Sequence, residues 1–269
     1  MKKSSLAVLL ALAVASMTVP AHAGNIALTG HDDDFHCGDG SAACAQLGAL
    51  VSFAQNGSSL QVLTFDAGTE LTTSLTGLGI SFTNFNPESG VTAAMFDHSL
   101  YSAFIVASDS SCGGCDNSAT GEANIAAQSA AIANFLNAGG GIVGLSGAYS
   151  EMYYSFVPQI ASSVGGAPSD GYSATGPFGI PAVNGDPTHN LFWNPGTHGE
   201  SSAFQIAEVN SVGNDTIPGP AAATLVCSGC SVSDGVIVGG PTPEPSSIIL
   251  LGTGLVGVVG AFRRRISAR

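Results

Sequence analysis

Lysine and arginine are absent from residues 24–242 of this 269-residue chain. All six basic residues lie near its two ends: Lys2, Lys3, Arg263, Arg264, Arg265 and Arg269. Of the 19 acidic residues all except Glu244 lie in the same segment, so its 18 carboxylates can form ion pairs only with histidine. Nucleic-acid binding is excluded, because nothing there neutralises phosphates, and phosphate-bearing cofactors are disfavoured. The negative charge of this segment favours cations or a cationic polymer as partners. The alternative is that the charge only keeps the protein soluble.

The N-terminal segment, residues 1–23, reads as a targeting signal rather than as part of the fold. It combines Lys2 and Lys3 with an apolar run and ends in the small-x-small sequence Ala21-His22-Ala23, which is typical of a cleaved secretory signal helix. An exported domain over residues 24–240 is therefore expected to follow.

The C-terminal segment, residues 241–269, has three parts. They are the tripeptide Pro243, Glu244 and Pro245, the uncharged run 246–262, and the basic cluster Arg263, Arg264 and Arg265. The uncharged run would form a helix of about 25 Å, near the lower limit for a single transmembrane helix, with the arginines on the cytoplasmic side. A buried core helix is the alternative. The order of the three parts closely resembles the PEP-CTERM sorting signal, which implies export by the secretion machinery, anchoring in the inner membrane, cleavage by an exosortase, and delivery to the cell envelope or extracellular matrix.

The exported domain has hydrophobic patterns that alternate between strand and helix. Apolar runs typical of buried strands cover Asn25–Thr29, Leu60–Phe65 and Tyr101–Ala107. Helical spacing of apolar residues covers Ala43–Ala54 and Glu122–Ala138. A strand, a helix and a second strand in succession predict a parallel sheet with helices packed on it.

The stretch Gly139–Gly147, GGGIVGLSG, reads as a helix end, a short buried strand and a sharp turn of small residues. Together with Tyr101–Ala107 it resembles the ThuA-like branch of the class I glutamine amidotransferase-like family, and Asp186–Phe192 is similar to a degraded His-Pro segment of that family. The resemblance implies a three-layer, flavodoxin-like α/β fold with a parallel sheet. Ser146 stands where true amidotransferases have Cys and ThuA-like members usually have His, and no Arg or Lys is present to anchor a substrate.

Ser146 is the candidate nucleophile, because an elbow after a strand would expose its hydroxyl at the carboxyl edge of the sheet. Two partners are open: His198 with Glu200, since amidotransferase triads use a His-x-Glu pair, and His189. The alternative is a small residue that allows close packing at a tight turn. The preferred hypothesis is a non-catalytic or weakly catalytic envelope protein that binds a small ligand, a cation or a glycan. A hydrolase or sugar-modifying enzyme is the second hypothesis.

The loop after the first predicted strand, Gly30–Gly40, concentrates imidazole and carboxylate groups. A divalent cation is the one candidate cofactor, and its candidate ligands are His31, Asp32, Asp34 and His36. The spacing does not match an EF-hand loop, and an exposed acidic loop without metal is the alternative.

The six cysteines fall into three pairs of near neighbours. The pairs are Cys37 with Cys44, Cys112 with Cys115, and Cys227 with Cys230. Local disulfides are expected in an exported protein. A zinc site built from the two C-x-x-C pairs is an alternative, as is thioredoxin-like chemistry at the middle pair.

Aromatic residues cluster in sequence around the single tryptophan. Trp193, Phe192 and Tyr172 are candidates for a carbohydrate-stacking platform, which makes exopolysaccharide a candidate partner. A tryptophan packed in the core is the alternative interpretation.

Overall fold

The computed structural model describes residues 23–37, 42–109, 116–145, 155–158, 178–180, 204–209 and 223–239. The chain divides after Gly239, and the described residues all belong to the unit that ends there. Their strands are β1 (Gly24–Thr29), β2 (Val62–Phe65), β3 (Phe82–Phe85), β4 (Ala103–Val106), β5 (Gly141–Gly144), β6 (Gln205–Val209), β7 (Ala223–Ser233) and β8 (Val236–Gly239). Their helices are α1 (Asp33–Cys37), α2 (Ala42–Gln55), α3 (Glu70–Gly77), α4 (Ala119–Ala126) and α5 (Ser129–Asn137), with short 3-10 helices at Pro87–Ser89 and Ala93–Met95.

These strands form one mixed sheet. Its order is β3-β2-β4-β5-β1-β7-β6, and β8 pairs with β7 outside this path. The first five strands in that order are parallel. In contrast, β7 is antiparallel to β1, and β6 and β8 are antiparallel to β7. The α/β class is confirmed, but the prediction of a wholly parallel sheet is wrong on the side of β1 that carries β7.

The strand order also departs from the flavodoxin-like order, 2-1-3-4-5, in which the first strand lies beside the second. Here β5 takes one edge of β1 and β7 takes the other, so β4 and β5 separate β1 from β2. The long β7 pairs along β1 from Thr224, opposite Thr29, to Cys230, opposite Gly24. It then turns into β8 through Asp234 and Gly235, which both have positive φ angles, of 52° and 78°. An Asp-Gly pair is a strong hairpin signal, and it predicts the pairing of β7 with β8 but not that of β7 with β1.

Both faces of the sheet are covered by helices, which gives three layers. Ile26 and Phe104 pack into the same apolar cluster as Phe135 of α5. Ile105, the next residue along β4, points to the opposite face and joins the cluster that contains Leu50 of α2. Each of these side chains is at most 1% exposed. The apolar runs predicted as strands are therefore buried on both sides, as the central strands of an α/β protein must be.

Most elements lie where the hydrophobic pattern predicts them. The helix predicted over Ala43–Ala54 is confirmed as α2, and β5 confirms the buried strand within GGGIVGLSG. The helix predicted over Glu122–Ala138 is instead two helices, because the chain turns at Ala127 and Gln128 between α4 and α5. Both helices still bury their apolar residues in one cluster.

The predicted membrane-associated segments fall outside the described residues. This applies to the signal helix up to residue 22 and to the predicted transmembrane helix 246–262. In the part of the chain that the structure describes, no helix is long and apolar enough to cross a membrane.

Two glycines, one within α2 and one packed against it, differ in the space available for a side chain. A Cβ atom on Gly141, at the start of β5, would overlap the backbone carbonyl of Ala54 near the end of α2. A Cβ atom on Gly48, in the middle of α2, would meet nothing closer than Leu78 Cδ2 at 3.9 Å. The close approach of β5 to α2 therefore requires glycine at position 141 but not at position 48.

We expect Gly141→Ala to lower the free energy of unfolding by about 1–3 kcal/mol, since backbone must shift to admit the methyl group. Gly48→Ala should raise it by up to about 1 kcal/mol, because alanine is the better helix former. Urea denaturation followed by circular dichroism measures both changes. A Gly141→Ala variant as stable as the unmodified protein would contradict the described contact between β5 and α2.

Candidate functional site

Polar residues follow three of the parallel strands at the point where each strand ends. His31 and Asp32–Asp34 follow β1, Asp66 follows β2, and Ser108 and Asp109 follow β4. The carboxyl ends of parallel strands meet at one edge of the sheet, where α/β proteins bind their ligands. All of these residues are at most 3% exposed. This edge is therefore a packed layer of polar side chains.

Asp34 links the loop after β1 to the loop after β4. Its Oδ2 accepts a hydrogen bond from Ser108 N at 2.8 Å, and its Oδ1 accepts one from Phe35 N at 3.1 Å. The backbone carbonyl of Asp34 also accepts a hydrogen bond from Ser74 Oγ of α3 at 2.8 Å. Burial raises the pKa of the Asp34 carboxyl to about 6, and the hydrogen bonds from Ser108 and Phe35 only partly oppose this rise.

Asn117 connects the ends of β2 and β4. Its Oδ1 accepts a hydrogen bond from Ala67 N at 3.0 Å, while its Nδ2 donates to Phe65 O at 2.9 Å and to Ala107 O at 3.3 Å. Its backbone N–H donates to Ser108 O at 2.9 Å. The side chain is fully buried. One amide thus binds three backbone groups at the ends of β2 and β4, although Phe65 O also accepts a hydrogen bond from Ala107 N at 3.0 Å.

Asp116 lies at the amino end of α3, although it is far from that helix in sequence. Its Oδ1 accepts a hydrogen bond from Thr69 N at 3.1 Å, and its Oδ2 accepts from Glu70 N at 2.8 Å and from Leu71 N at 3.1 Å. A Cβ atom at position 68 would overlap this carboxylate, so glycine is required there. The exposed amides of a helix start commonly bind an external anion. In this protein the Asp116 side chain already occupies that position.

Asp66 brings a second carboxyl group to the same helix end. It accepts hydrogen bonds from Gly68 N at 2.7 Å and from Thr72 N at 3.1 Å, the amides on either side of the three that bind Asp116. Burial, the negative charge of Asp116 and the hydrogen bond to it raise the pKa of Asp66 to about 7. The hydrogen bonds from Gly68 N and Thr72 N lower the pKa of Asp66, but by less than the other causes raise it.

The predicted metal ligands lie in and just before α1. His31, Asp32 and Asp34 are buried, so the alternative of an exposed acidic loop is wrong. His36 Nε2 lies 3.5 Å from Asp32 Oδ1, one helical turn away. Among the described residues, no group of three or more His, Cys, Asp or Glu side chains is arranged to hold a metal ion. A divalent-cation site at these four residues stays a prediction.

Two of the three predicted disulfides are present. Cys37 is bonded to Cys44, which ties α1 to α2, and Cys227 is bonded to Cys230 within β7. The alternative of a four-thiolate zinc site is wrong, because Cys227 and Cys230 are bonded to each other. Cys112 and Cys115 lie outside the described residues. The third disulfide and the thioredoxin-like alternative therefore stay predictions.

The predicted nucleophile and its partners lie outside the described residues. This applies to Ser146, His189, His198 and Glu200, and also to the aromatic residues Tyr172, Phe192 and Trp193. The strand that leads to Ser146 is β5, and Leu145 continues it by donating a backbone hydrogen bond to Val106 O at 3.2 Å.

Three residues of the carboxyl edge are not among the sequence-predicted site residues: Asp66, Asp116 and Asn117. Asp66 could have been predicted, because it directly follows an apolar run that forms a strand. Asp116 and Asn117 directly precede Ser118, which caps α4 by accepting a hydrogen bond from Thr120 N. Their main contacts, however, lie about 50 residues away, beyond what local spacing can predict.

The comparisons with known proteins identify the end of the chain and leave the domain unassigned. Residues 241–265 match the family model of the PEP-CTERM protein-sorting motif. This match supports an exported protein that an exosortase sorts and processes at the membrane. No curated protein and no solved structure matches the chain.

Asn117→Ala should lower the free energy of unfolding by about 2–4 kcal/mol, because it leaves one buried N–H and two buried carbonyl groups without this partner. Asn124→Ala is a matched control of the same residue type, since the Asn124 amide makes one hydrogen bond, to Pro87 O at 2.9 Å. Its cost should be about 0.5–1.5 kcal/mol. Chemical denaturation measures both, and equal losses would contradict the role given to Asn117.

Proposed function

We propose that this chain is an exported protein of the cell envelope or extracellular matrix, released from the membrane by an exosortase, whose α/β domain binds a ligand without catalysing a reaction. The match of residues 241–265 to the PEP-CTERM protein-sorting motif carries the proposal. The tripeptide Pro243-Glu244-Pro245 and the basic cluster Arg263–Arg265 both lie within the matched range. Delivery to the cell envelope or extracellular matrix after cleavage goes beyond this match and is our proposal.

The contacts of the carboxyl edge support a domain without acid–base catalysis. A general base must come within hydrogen-bond distance of the proton that it removes from a substrate. Asp34 and Asp66 are at most 1% exposed, and their oxygens accept hydrogen bonds from the protein's own backbone amides. Groups in this position stabilise the loops around them and are not placed to remove a proton from a substrate.

The charge of the exported domain supports a cationic ligand. Residues 24–242 contain 18 carboxylates and no lysine or arginine, so the surface attracts divalent cations or a cationic region of a matrix polymer. The helix end at Asp116 is filled by its own carboxylate, which disfavours an anionic ligand there. A binding site at His31, Asp32, Asp34 and His36, and one on the aromatic residues near Trp193, are both compatible with this charge.

The relationship to ThuA-like and amidotransferase-like domains forms a part of the proposal. Five parallel strands between two helical layers, and the glycine-rich entry into β5, support it. The antiparallel strands β6–β8 are a departure from that pattern.

Replacing Pro243, Glu244 and Pro245 with alanine should abolish exosortase processing, because the tripeptide is the proposed recognition element. The unprocessed form should then accumulate in the membrane fraction, where immunoblotting and intact-mass analysis detect it. Thr242→Ala, beside the tripeptide, is the control and should be processed normally. Normal processing of the triple variant would contradict the proposal.

Exported protein should not react with a fluorophosphonate probe, which labels activated serine nucleophiles. The hydrolase alternative expects labelling of Ser146, lost in Ser146→Ala and reduced in His198→Ala or His189→Ala. Gel fluorescence after incubation with the probe measures this. Labelling that depends on Ser146 would overturn the non-catalytic assignment while leaving the sorting result unaffected.

A further inference from the structure

We propose that Asp66 and Asp116 form a proton-dependent latch that joins the amino end of α3 to the segment preceding α4. The two carboxyl groups lie at the same helix end, close enough for the charge of Asp116 to raise the pKa of Asp66. Together they accept hydrogen bonds from five consecutive backbone amides, Gly68 to Thr72. The latch is closed when one proton lies between the carboxyl groups and is weakened when that proton is lost.

The position of the two groups favours a shared proton. Two carboxylates held at one helix end repel each other, and a proton taken up by the pair relieves this repulsion. Asp116 accepts three amide hydrogen bonds, which suits an acceptor-only carboxylate. Asp66 accepts two and is 1% exposed, so it is the better site for the proton.

Among the described residues, no positive side chain forms an ion pair with either carboxyl group. Asp116 is the titratable group that raises the pKa of Asp66, and the Asp116 charge also acts on Asp34 of α1. The remaining described partners of the pair are backbone amides of α3 and of the turn before it. Since residues 24–242 contain no lysine or arginine, a proton is what neutralises the pair.

The latch connects segments that are far apart in sequence. Asp66 ends β2 and Asp116 follows β4, and the hydrogen bond from Glu70 N to Asp116 spans 46 residues. Asn117, next to Asp116, holds the end of β2 as well. Opening the latch would release α3 from Asp116 while Asn117 keeps the strands joined.

The direction of the pH dependence follows from the raised pKa of Asp66. Between its ordinary value of 3.8 and about 7, the folded protein holds a proton that the unfolded chain has lost. Stability therefore falls as pH rises through this range and levels off above it. The raised pKa of Asp34, about 6, acts in the same direction at lower pH, so Asp66 makes the larger contribution between pH 6 and pH 8.

Thermal unfolding of the purified protein tests the proposal directly. The melting temperature should fall by roughly 3–5 °C between pH 6 and pH 8, as expected for the loss of one proton from a protein of this size. In Asp66→Asn this fall should disappear, because the amide donates to Asp116 at every pH. Asp97→Asn is the control, since Asp97 is a half-buried carboxylate bonded to Ser99 and its replacement should leave the fall unchanged. A fall of equal size in Asp66→Asn would overturn the proposal.

A second measurement on the unmodified protein avoids dependence on the folding of any variant. Hydrogen exchange should show lower protection factors at pH 8 than at pH 6 for the amides of Thr69, Glu70 and Leu71, after correction for the intrinsic exchange rate. The amide of Ala67, which donates to Asn117, is the internal reference and should keep its protection. Equal protection of the three latch amides at both pH values would also overturn the proposal.

Discussion

The lack of any lysine or arginine in the exported domain determines how its interior carboxylates are stabilised. A buried carboxylate without a compensating partner is strongly destabilising, and the usual basic partners do not exist in residues 24–242. Backbone amides take their place. Asp34 accepts two of them, and the pair Asp66 and Asp116 accepts five. These amide hydrogen bonds only partly offset burial, which is the largest cause of the raised pKa values of Asp34 and Asp66.

Amide donors differ from basic side chains in that they are fixed to the backbone. A carboxylate that depends on them must lie against a particular loop, so each such contact also positions the chain. Asp34 and Ser108 are 74 residues apart, and Asp116 and Glu70 are 46 apart. The ends of β1, β2 and β4 are therefore joined by polar contacts as well as by the sheet. In the described residues after β1, β2 and β4, the protein's own groups thus occupy the edge at which α/β proteins bind ligands.

The sequence predicts the local elements well and the long-range ones poorly. Apolar runs and helical spacing identify β1, α2 and β5, because burial of one face or of both faces leaves a periodic pattern. The antiparallel edge escaped prediction even though Asp234 and Gly235 carry a hairpin signal, since β7 pairs with β1 almost 200 residues away. At the carboxyl edge, the sequence predicts His31 with its neighbours and Ser146. The contributions of Asp66 and Asp116 depend on a contact between distant loops that no local pattern encodes.

A raised carboxyl pKa in an α/β protein ordinarily points to an active site, because catalytic acids and bases need shifted pKa values. Two observations favour a structural cause here. The shifted groups, Asp34 and Asp66, are almost completely buried, and their oxygens already bind backbone amides of the same chain. The pKa values of Asp34 and Asp66 are raised because these acids are buried in a domain that has no lysine or arginine. The stability of an acidic exported domain can thus depend on pH because of its composition, and the buried acids need no catalytic role for this.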